Sequence, residues 1–585
     1  MPRREAGSGI GRRGRGRKVR IGVLVAVALA VSVAAMIGMS ASAVIARASC
    51  SKSPVLVNVA VSFDIAPAVQ TIARSFNHLN EFAAGRCVQV QVTQSQPSAI
   101  AAQVDGQDSL PGSTAVDVWI PDSSLWVDVA RSYALGAQVV QPTGINIARS
   151  PIMIVTSQAV AEQTGVFDSP ANWNLLLPPS YGGPPDSMGL SVDMPDPADS
   201  AVGLSTLIEI NRLLGPTAAG RTAFTKFVYS TASTEDFNSA SALASFVGST
   251  ALRKAVAVAP EQAVIAYDRA NPRQPLAARY PTSASKALGS PELDYPYVLT
   301  SSNPAETQAG TAFGKYLRDP YAQSVIRYAG FRSADGIPDH LPSSSGLGSQ
   351  PLQVATSATP SEAATNLSVW QKLGLGSRVL TIIDDSAAMS APAGLDNLNL
   401  EQVLTQTASR GLPLFPDTTE MGLWEAPDSQ DASANYRSLV PVGPLPADWG
   451  IFSRREQIQQ IDLTLRPNSH PLRLSKAILA GYRQLTDSYA PNYSNALLVL
   501  TAGVDSPQDM KLRSLVHQLR SLYNPGKKVE IIIIQFGQQG SYKALQQIAD
   551  ATGGAAYQIK NPGEIAKIFI EAIAQRMCDQ GCTAP

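Results

Sequence analysis

Residues 379–383 are an apolar run, Val-Leu-Thr-Ile-Ile, that ends in Asp384 and, two residues on, Ser386. A carboxylate and a hydroxyl at this spacing, on a loop that follows a strand, can supply oxygens to a hard divalent cation such as Mg²⁺. The next position able to continue the series is Ala388, which has no oxygen to offer. A second group of candidates lies earlier. Ser62 and Asp64 precede Pro67, Asp122 and Ser123 precede Leu125-Trp126, and Asp199-Ser200 precede Ala201-Val202-Gly203. Each sits where a helix starts, so a side-chain oxygen and free backbone N–H groups can together meet an anion or polar ligand. An ordinary helix cap accounts for each one singly. Two or three converging on one cleft is what a binding fold requires. Arg149 beside Ser150 adds charge for an anion, or is simply a surface arginine.

Other chemistry has little to build on. There is no Gly-x-Ser-x-Gly elbow, Walker loop, His-Glu-x-x-His or dinucleotide fingerprint. Gly203-Leu204-Ser205-Thr206-Leu207 lacks the elbow's last glycine, and the four histidines, His78, His340, His470 and His517, stand singly. No catalytic residue, zinc site or cofactor is expected, and the chain reads as a non-enzyme.

The elements that would position these residues follow a strand–helix alternation. Strands are expected at 55–61, 87–93, 116–121 and 151–155, then at 379–383, 421–424, 496–500 and 529–535. Helices are expected from Pro67 and over 474–485 and 512–522. Such alternation gives an α/β class. At 585 residues the chain is too long for one core. The Ser-, Gly- and Pro-rich stretch 341–367 reads as the linker between two bodies.

Lys+Arg 46 against Asp+Glu 46 leaves no net charge, so no global field favours nucleic acid. The basic residues nevertheless crowd into 1–20, and 21–46 carries no charge at all. That run exceeds the roughly 20 apolar residues needed to cross a bilayer. An uncleaved transmembrane signal anchor with the remainder outside the cytoplasm is the expected arrangement. A cleaved secretory signal competes, with Ala41-Ser42-Ala43 and Ala46-Arg47-Ala48 as possible sites. A lipoprotein anchor at Cys50 is disfavoured by Arg47. An even cysteine count outside the cytoplasm reads as disulfides, paired here as Cys50 with Cys87 and Cys578 with Cys582.

The segment 59–67, Val-Ala-Val-Ser-Phe-Asp-Ile-Ala-Pro, resembles the first strand and helix of bacterial extracellular solute-binding proteins. Asp117 to Trp126, Ala148 to Pro151, Glu261 to Val264 and Asp294 to Tyr297 match that family in order. The resemblance covers about residues 52–336. It implies a two-lobed periplasmic-binding-protein-like domain, with lobe one at 52–145 plus 296–336 and lobe two between. Ligand contacts are then expected from Ser62, Asp64, Asp122, Ser123, Ser150, Ser200, Glu261 and Tyr297. Tyr297 and Trp119 can equally be core aromatics.

The stretch 368–576 resembles a von Willebrand factor A domain, a doubly wound α/β (Rossmann-like) fold whose metal-ion-dependent adhesion site draws on three loops. Met421 to Trp424, Ala496 to Gly503, Ile548 to Gly554 with Tyr557, and Phe569 to Arg576 carry the match. Asp384 and Ser386 keep the family's first-loop ligands, whereas Ala388, Leu472 and Ala502 stand where further oxygen donors belong. Metal binding is therefore expected to be lost.

The expected organisation is a basic tail at 1–20, an anchor at 21–46, a solute-binding-like domain at 50–340, a linker at 341–367, a von Willebrand A-like domain at 368–576, and a tail carrying the last cysteine pair at 577–585. The expected function is a membrane-anchored extracytoplasmic scaffold that couples a solute-binding-like module to an unidentified protein partner. The alternative is a binding component that delivers a small ligand to an uptake transporter.

Overall fold

The computed structural model describes residues 53–577 apart from 105–114, 232–242, 244–253, 286–287, 340, 342–346, 348–351, 396, 504–506, 508 and 539. The expected anchor at 21–46 and Cys50, Cys578 and Cys582 lie outside the described residues. Among the described residues no helix is long and apolar enough to cross a membrane. Cys87, the described cysteine, is disulfide-bonded.

The strands of the N-terminal half are β1 (Val55–Val61), β2 (Phe82–Ala83), β3 (Arg86–Gln94), β4 (Val118–Ile120), β5 (Gln141–Asn146), β6 (Ala148–Ser157), β7 (Ser191–Asp193), β8 (Ala255–Pro260), β9 (Leu276–Arg279), β10 (Glu292–Leu293), β11 (Pro296–Leu299) and β12 (Arg332–Ser333). They form two sheets. The first runs β2-β3-β1-β4-β11-β5, and the second runs β10-β6-β8-β7 with β9 and β12 also on β6. β1 pairs in parallel with β3 and β4, so both its faces are covered and it is nearly continuously apolar. The chain crosses between the sheets where β5 gives way to β6 and where β10 gives way to β11. Ile147 N donates to Tyr295 O across these crossings at 3.1 Å.

The C-terminal half contributes β13 (Gly376–Asp384), β14 (Glu420–Ala426), β15 (Arg437–Pro444), a ribbon of β16 (Asp448–Trp449) and β17 (Phe452–Ser453), then β18 (Tyr493–Thr501), β19 (Val529–Phe536) and β20 (Ala555–Ile559). Its main sheet runs β15-β14-β13-β18-β19-β20, parallel except for β15. In order of appearance this is 3-2-1-4-5-6, a doubly wound order that reverses between β13 and β18. Helices Leu474–Asp487, Leu512–Leu522 and Tyr542–Asp550 cover one face, and Leu400–Gly411, Arg454–Thr464 and Ile565–Ala574 the other.

The stretch expected to be an open linker is partly ordered. Residues 360–367 begin the helix Pro360–Gly374, started by a capping box in which Thr359 and Glu362 exchange hydrogen bonds. Ala363, Leu367, Val369 and Leu373 are buried in the core of the N-terminal half. The helix packs on both Ser124–Arg131 of the first lobe and Ala201–Leu214 of the second. Arg212 ties it down: its Nε and Nη2 donate to Glu362 at 2.8 and 3.0 Å, while Nη1 donates to Glu209 at 2.8 Å. The helix Ile565–Ala574 packs on Ala218–Thr231 of the second lobe, with Phe569 edge-on to Tyr229 at 6.3 Å.

Candidate functional site

The site is built at the junction of the lobes. β1 ends at Val61, and Ser62 continues its ladder by donating its backbone N–H to Ile120 O at 3.0 Å. The chain then turns through Asp64 into the helix Ala66–His78. The N-cap there is Ile65 with no side-chain cap, so neither Ser62 nor Asp64 serves as the cap that the spacing permitted. Ser62 Oγ is buried beside the Asp64 carboxylate. Asp64 Oδ1 accepts from Ile65 N at 2.9 Å, and its Oδ2 accepts from the Tyr295 hydroxyl.

Asp122 follows β4, only 9% exposed. Its Oδ2 accepts from Ala201 N at 3.4 Å, the first residue of a helix in the opposite lobe. Its Oδ1 has no partner. The carboxylate therefore stands at the positive end of that helix, where an anionic ligand would otherwise be favoured. Asp294, on the crossing segment, accepts from Ser124 N at 2.7 Å and from Asn146 Nδ2 at 3.3 Å. Further contacts bridge the lobes beside these: Gln96 Nε2 donates to Asp199 O and Ser98 Oγ to Asp199 Oδ1, each at 2.7 Å.

Three carboxylates thus share one junction. Burial pushes Asp64 and Asp294 above the usual carboxylate range. Asp122 is pushed up to about 8, first by burial and then by the negative charges of Asp64 and Asp294. At neutral pH it keeps its proton. Tyr295 is buried with φ of 42°, a left-handed conformation that costs a non-glycine residue about 1–3 kcal/mol. That strain sits on the segment joining the lobes and turns the phenol onto Asp64.

The remaining expected contacts serve the fold. Ser123 and Ser200 are helix caps, accepting from Leu125 N and Val202 N, each at 3.2 Å. Ser150 Oγ accepts from Gln262 N at 3.0 Å and so holds the start of another helix. Glu261 is 1% exposed and takes both Arg332 Nε and Nη2, at 2.9 and 2.7 Å, together with the Tyr280 hydroxyl. Tyr297 donates to Gly310 O at 2.6 Å and fills the space beside Gly314. The site therefore gathers Ser62, Asp64 and Asp122 from the expected set, and adds Tyr295 and Asp294. Asp294-Tyr295 stood in the matched stretch, but only the crossing of the chain shows that these residues face Asp64.

In the C-terminal half, β13 ends in Asp384 where the strand order of the sheet reverses. Asp384 is 1% exposed. Its Oδ1 accepts from Ser386 N at 3.0 Å, and its Oδ2 from Thr501 Oγ1 at 2.7 Å and Ala502 N at 3.1 Å. Leu472 and Ala502 are buried in the two apolar layers of the domain, and Ala388 packs against one of them. Asp385 is also buried, with its carboxyl pushed up to about 8 by burial and by neighbouring Glu425. Asp385 Oδ1 has no hydrogen-bond partner among the described residues.

Residues 57–332 match the family model of bacterial extracellular solute-binding proteins. An uncharacterised protein of Mycobacterium tuberculosis strain H37Rv is 25% identical over 552 residues, spanning 87% of this chain and 75% of its own. Among solved structures, the sulfate-binding protein SubI from Mycobacterium tuberculosis H37Rv is 17% identical, covering 54% of this chain and 96% of its own with a TM-score of 0.34. A periplasmic thiamin binding protein is 14% identical, covering 55% and 97% with a TM-score of 0.40. A von Willebrand factor type A structure from Catenulispora acidiphila is 20% identical, covering 34% of this chain and 43% of its own with a TM-score of 0.27. The stretch 57–332 of this chain is thus similar to bacterial extracellular solute-binding proteins.

Proposed function

We propose that the chain is an extracytoplasmic solute-binding component whose inter-lobe site takes a small cationic solute and presents it to an uptake transporter. One observation carries the choice of charge: Asp64, Asp122 and Asp294 gather around one junction, Asp122 buried and the other two half-buried, with Asp122 Oδ1 left without a partner among the described residues. A buried polar atom without a partner is costly, so a ligand bearing N–H donors gains by meeting it. A positive charge gains further, because it would sit among carboxylates that otherwise repel one another. An anion would meet those carboxylates and find the N-terminus of the helix Ala201–Leu214 already taken by Asp122. The family match over 57–332 supports ligand binding as such. Anchoring through 21–46 belongs to the same proposal.

A melting-temperature screen of the whole protein tests this. Amines and amidines should raise the melting temperature, while sulfate, phosphate and neutral sugars leave it unchanged. A rise with anions alone would reverse the charge assignment. A second reading, a scaffold for protein contact, draws on the helix Pro360–Gly374 lying on both lobes, which restrains the opening a delivery protein needs. No rise with any solute would favour it.

A further inference from the structure

The C-terminal sheet is covered unequally. On one face Leu497, Val499, Ile531 and Ile533 are wholly buried. On the other, Leu498 and Ile532 of the same central strands remain only partly covered, although three helices lie above them. The space between is a cavity of about 110 Å³. A single water needs roughly 10–15 Å³ by the same kind of measure, and apolar cavities of comparable size stay dry and admit small apolar molecules. Val379, Leu498 and Ile532 line its floor, and Phe569 and Ile568 its roof. Ala408 and Gly411 line it from the helix Leu400–Gly411, where larger side chains would narrow the gap.

Seven polar residues interrupt this apolar wall, Glu530 and Arg576 among them. Asp462 and Thr381 line the cavity, each 5% exposed, and Asp462 Oδ1 and Thr381 Oγ1 have no hydrogen-bond partner. Native proteins leave few such atoms unsatisfied. Burial alone pushes Asp462 up to about 7, so near neutrality much of it is an uncharged acid able to donate.

We propose that this cavity binds a small lipophile: a hydrocarbon chain or ring ending in one uncharged hydrogen-bonding group that meets Asp462. A carboxylate head placed beside Asp462 would set two acidic groups together and is disfavoured there. The site is separate from the inter-lobe cleft and does not depend on what the cleft binds. Because Phe569 forms part of the cavity and also packs edge-on against Tyr229 of the second lobe, occupancy bears on the helix that joins the two halves.

The test is the melting temperature of the whole protein titrated with 1-octanol and, separately, sodium octanoate at pH 7.5. We expect a saturable rise with 1-octanol and a much smaller one with octanoate. Ala408→Phe and Leu498→Phe, which fill the space from opposite walls, should abolish the 1-octanol rise. No rise in the wild-type protein, or a full rise in both filled variants, would overturn the assignment. If neither variant folds, crystals soaked in 1-octanol decide: ordered density beside Asp462 supports the site, and an empty cavity sinks it.

Discussion

At the scale of single residues, protons distinguish what the side chains do. Asp122 titrates near 8 in the folded protein and near its ordinary value of 3.8 when unfolded. Between those values the folded state holds a proton that the unfolded state has lost. Stability therefore falls as pH rises from about 4 to about 8, by at most about 1.4 kcal/mol per pH unit for this one group. Asp122→Asn should make the measured stability–pH slope shallower by that amount, leaving the contributions of other raised carboxyls such as Asp385 and Asp462. An unchanged slope would mean that Asp122 ionises normally. The rim of the C-terminal domain carries another buried carboxylate. Asp384 accepts three internal hydrogen bonds, so Asp384→Ala should cost about 3 kcal/mol in chemical denaturation. The wild-type melting temperature should be the same in EDTA as in millimolar Mg²⁺. A magnesium-dependent rise lost in Asp384→Ala would restore a metal to that rim.

At the scale of elements, what the sequence showed followed what periodicity can encode. β1, β13, β18 and β19 are buried along most of their length, so their apolar runs marked them directly. β15 is a half-exposed edge strand whose burial alternates irregularly, and its run 437–444 carries prolines and a glycine that disguise it. The helix Pro360–Gly374 was missed for a different reason. Its buried positions fall at helical spacing, but the Ser-, Thr- and Pro-rich stretch before it gave the whole segment the composition of a linker. For the cleft, caps and ligands use the same residue types, so Ser123 and Ser200 looked no different from Ser62. Only the geometry separates them. The importance of the misread helix can be checked through Arg212, which joins Glu209 to Glu362. Glu209 is buried and titrates near 7 even with its arginine, so Arg212→Ala should destabilise by about 3 kcal/mol, and more at pH 8 than at pH 6. The pH difference arises because a deserted Glu209 can take up a proton only at the lower pH. An equal loss at both would show that the pair is solvated.

At the scale of the whole molecule, the two halves touch through a helix from each side rather than hanging on a free tether. Pro360–Gly374 rests on both lobes, and Arg576 reaches back from the last helix to Leu375 O and Ser377 Oγ at 3.1 and 2.8 Å. Phe569 packs edge-on between Tyr229 and Phe415. Inter-domain contacts of this sort couple unfolding only while they are intact. Calorimetry of the whole protein should give one transition, and Phe569→Ala, which removes the shared ring at a cost of about 2–3 kcal/mol, should split it into two. Two transitions already present in the wild-type protein would show that the halves unfold independently.

The central claim is that the lobes close over a positive charge with Asp122 as its counter-ion. Binding a cation should expel the proton that burial holds on Asp122 at neutral pH. Titration calorimetry of a stabilising amine at pH 7, repeated in buffers of different ionisation enthalpy, measures that proton directly. About one proton should be released per amine bound by the wild-type protein, and close to none by Asp122→Asn. Amine binding with no release in the wild type, or equal release in both, would contradict the claim.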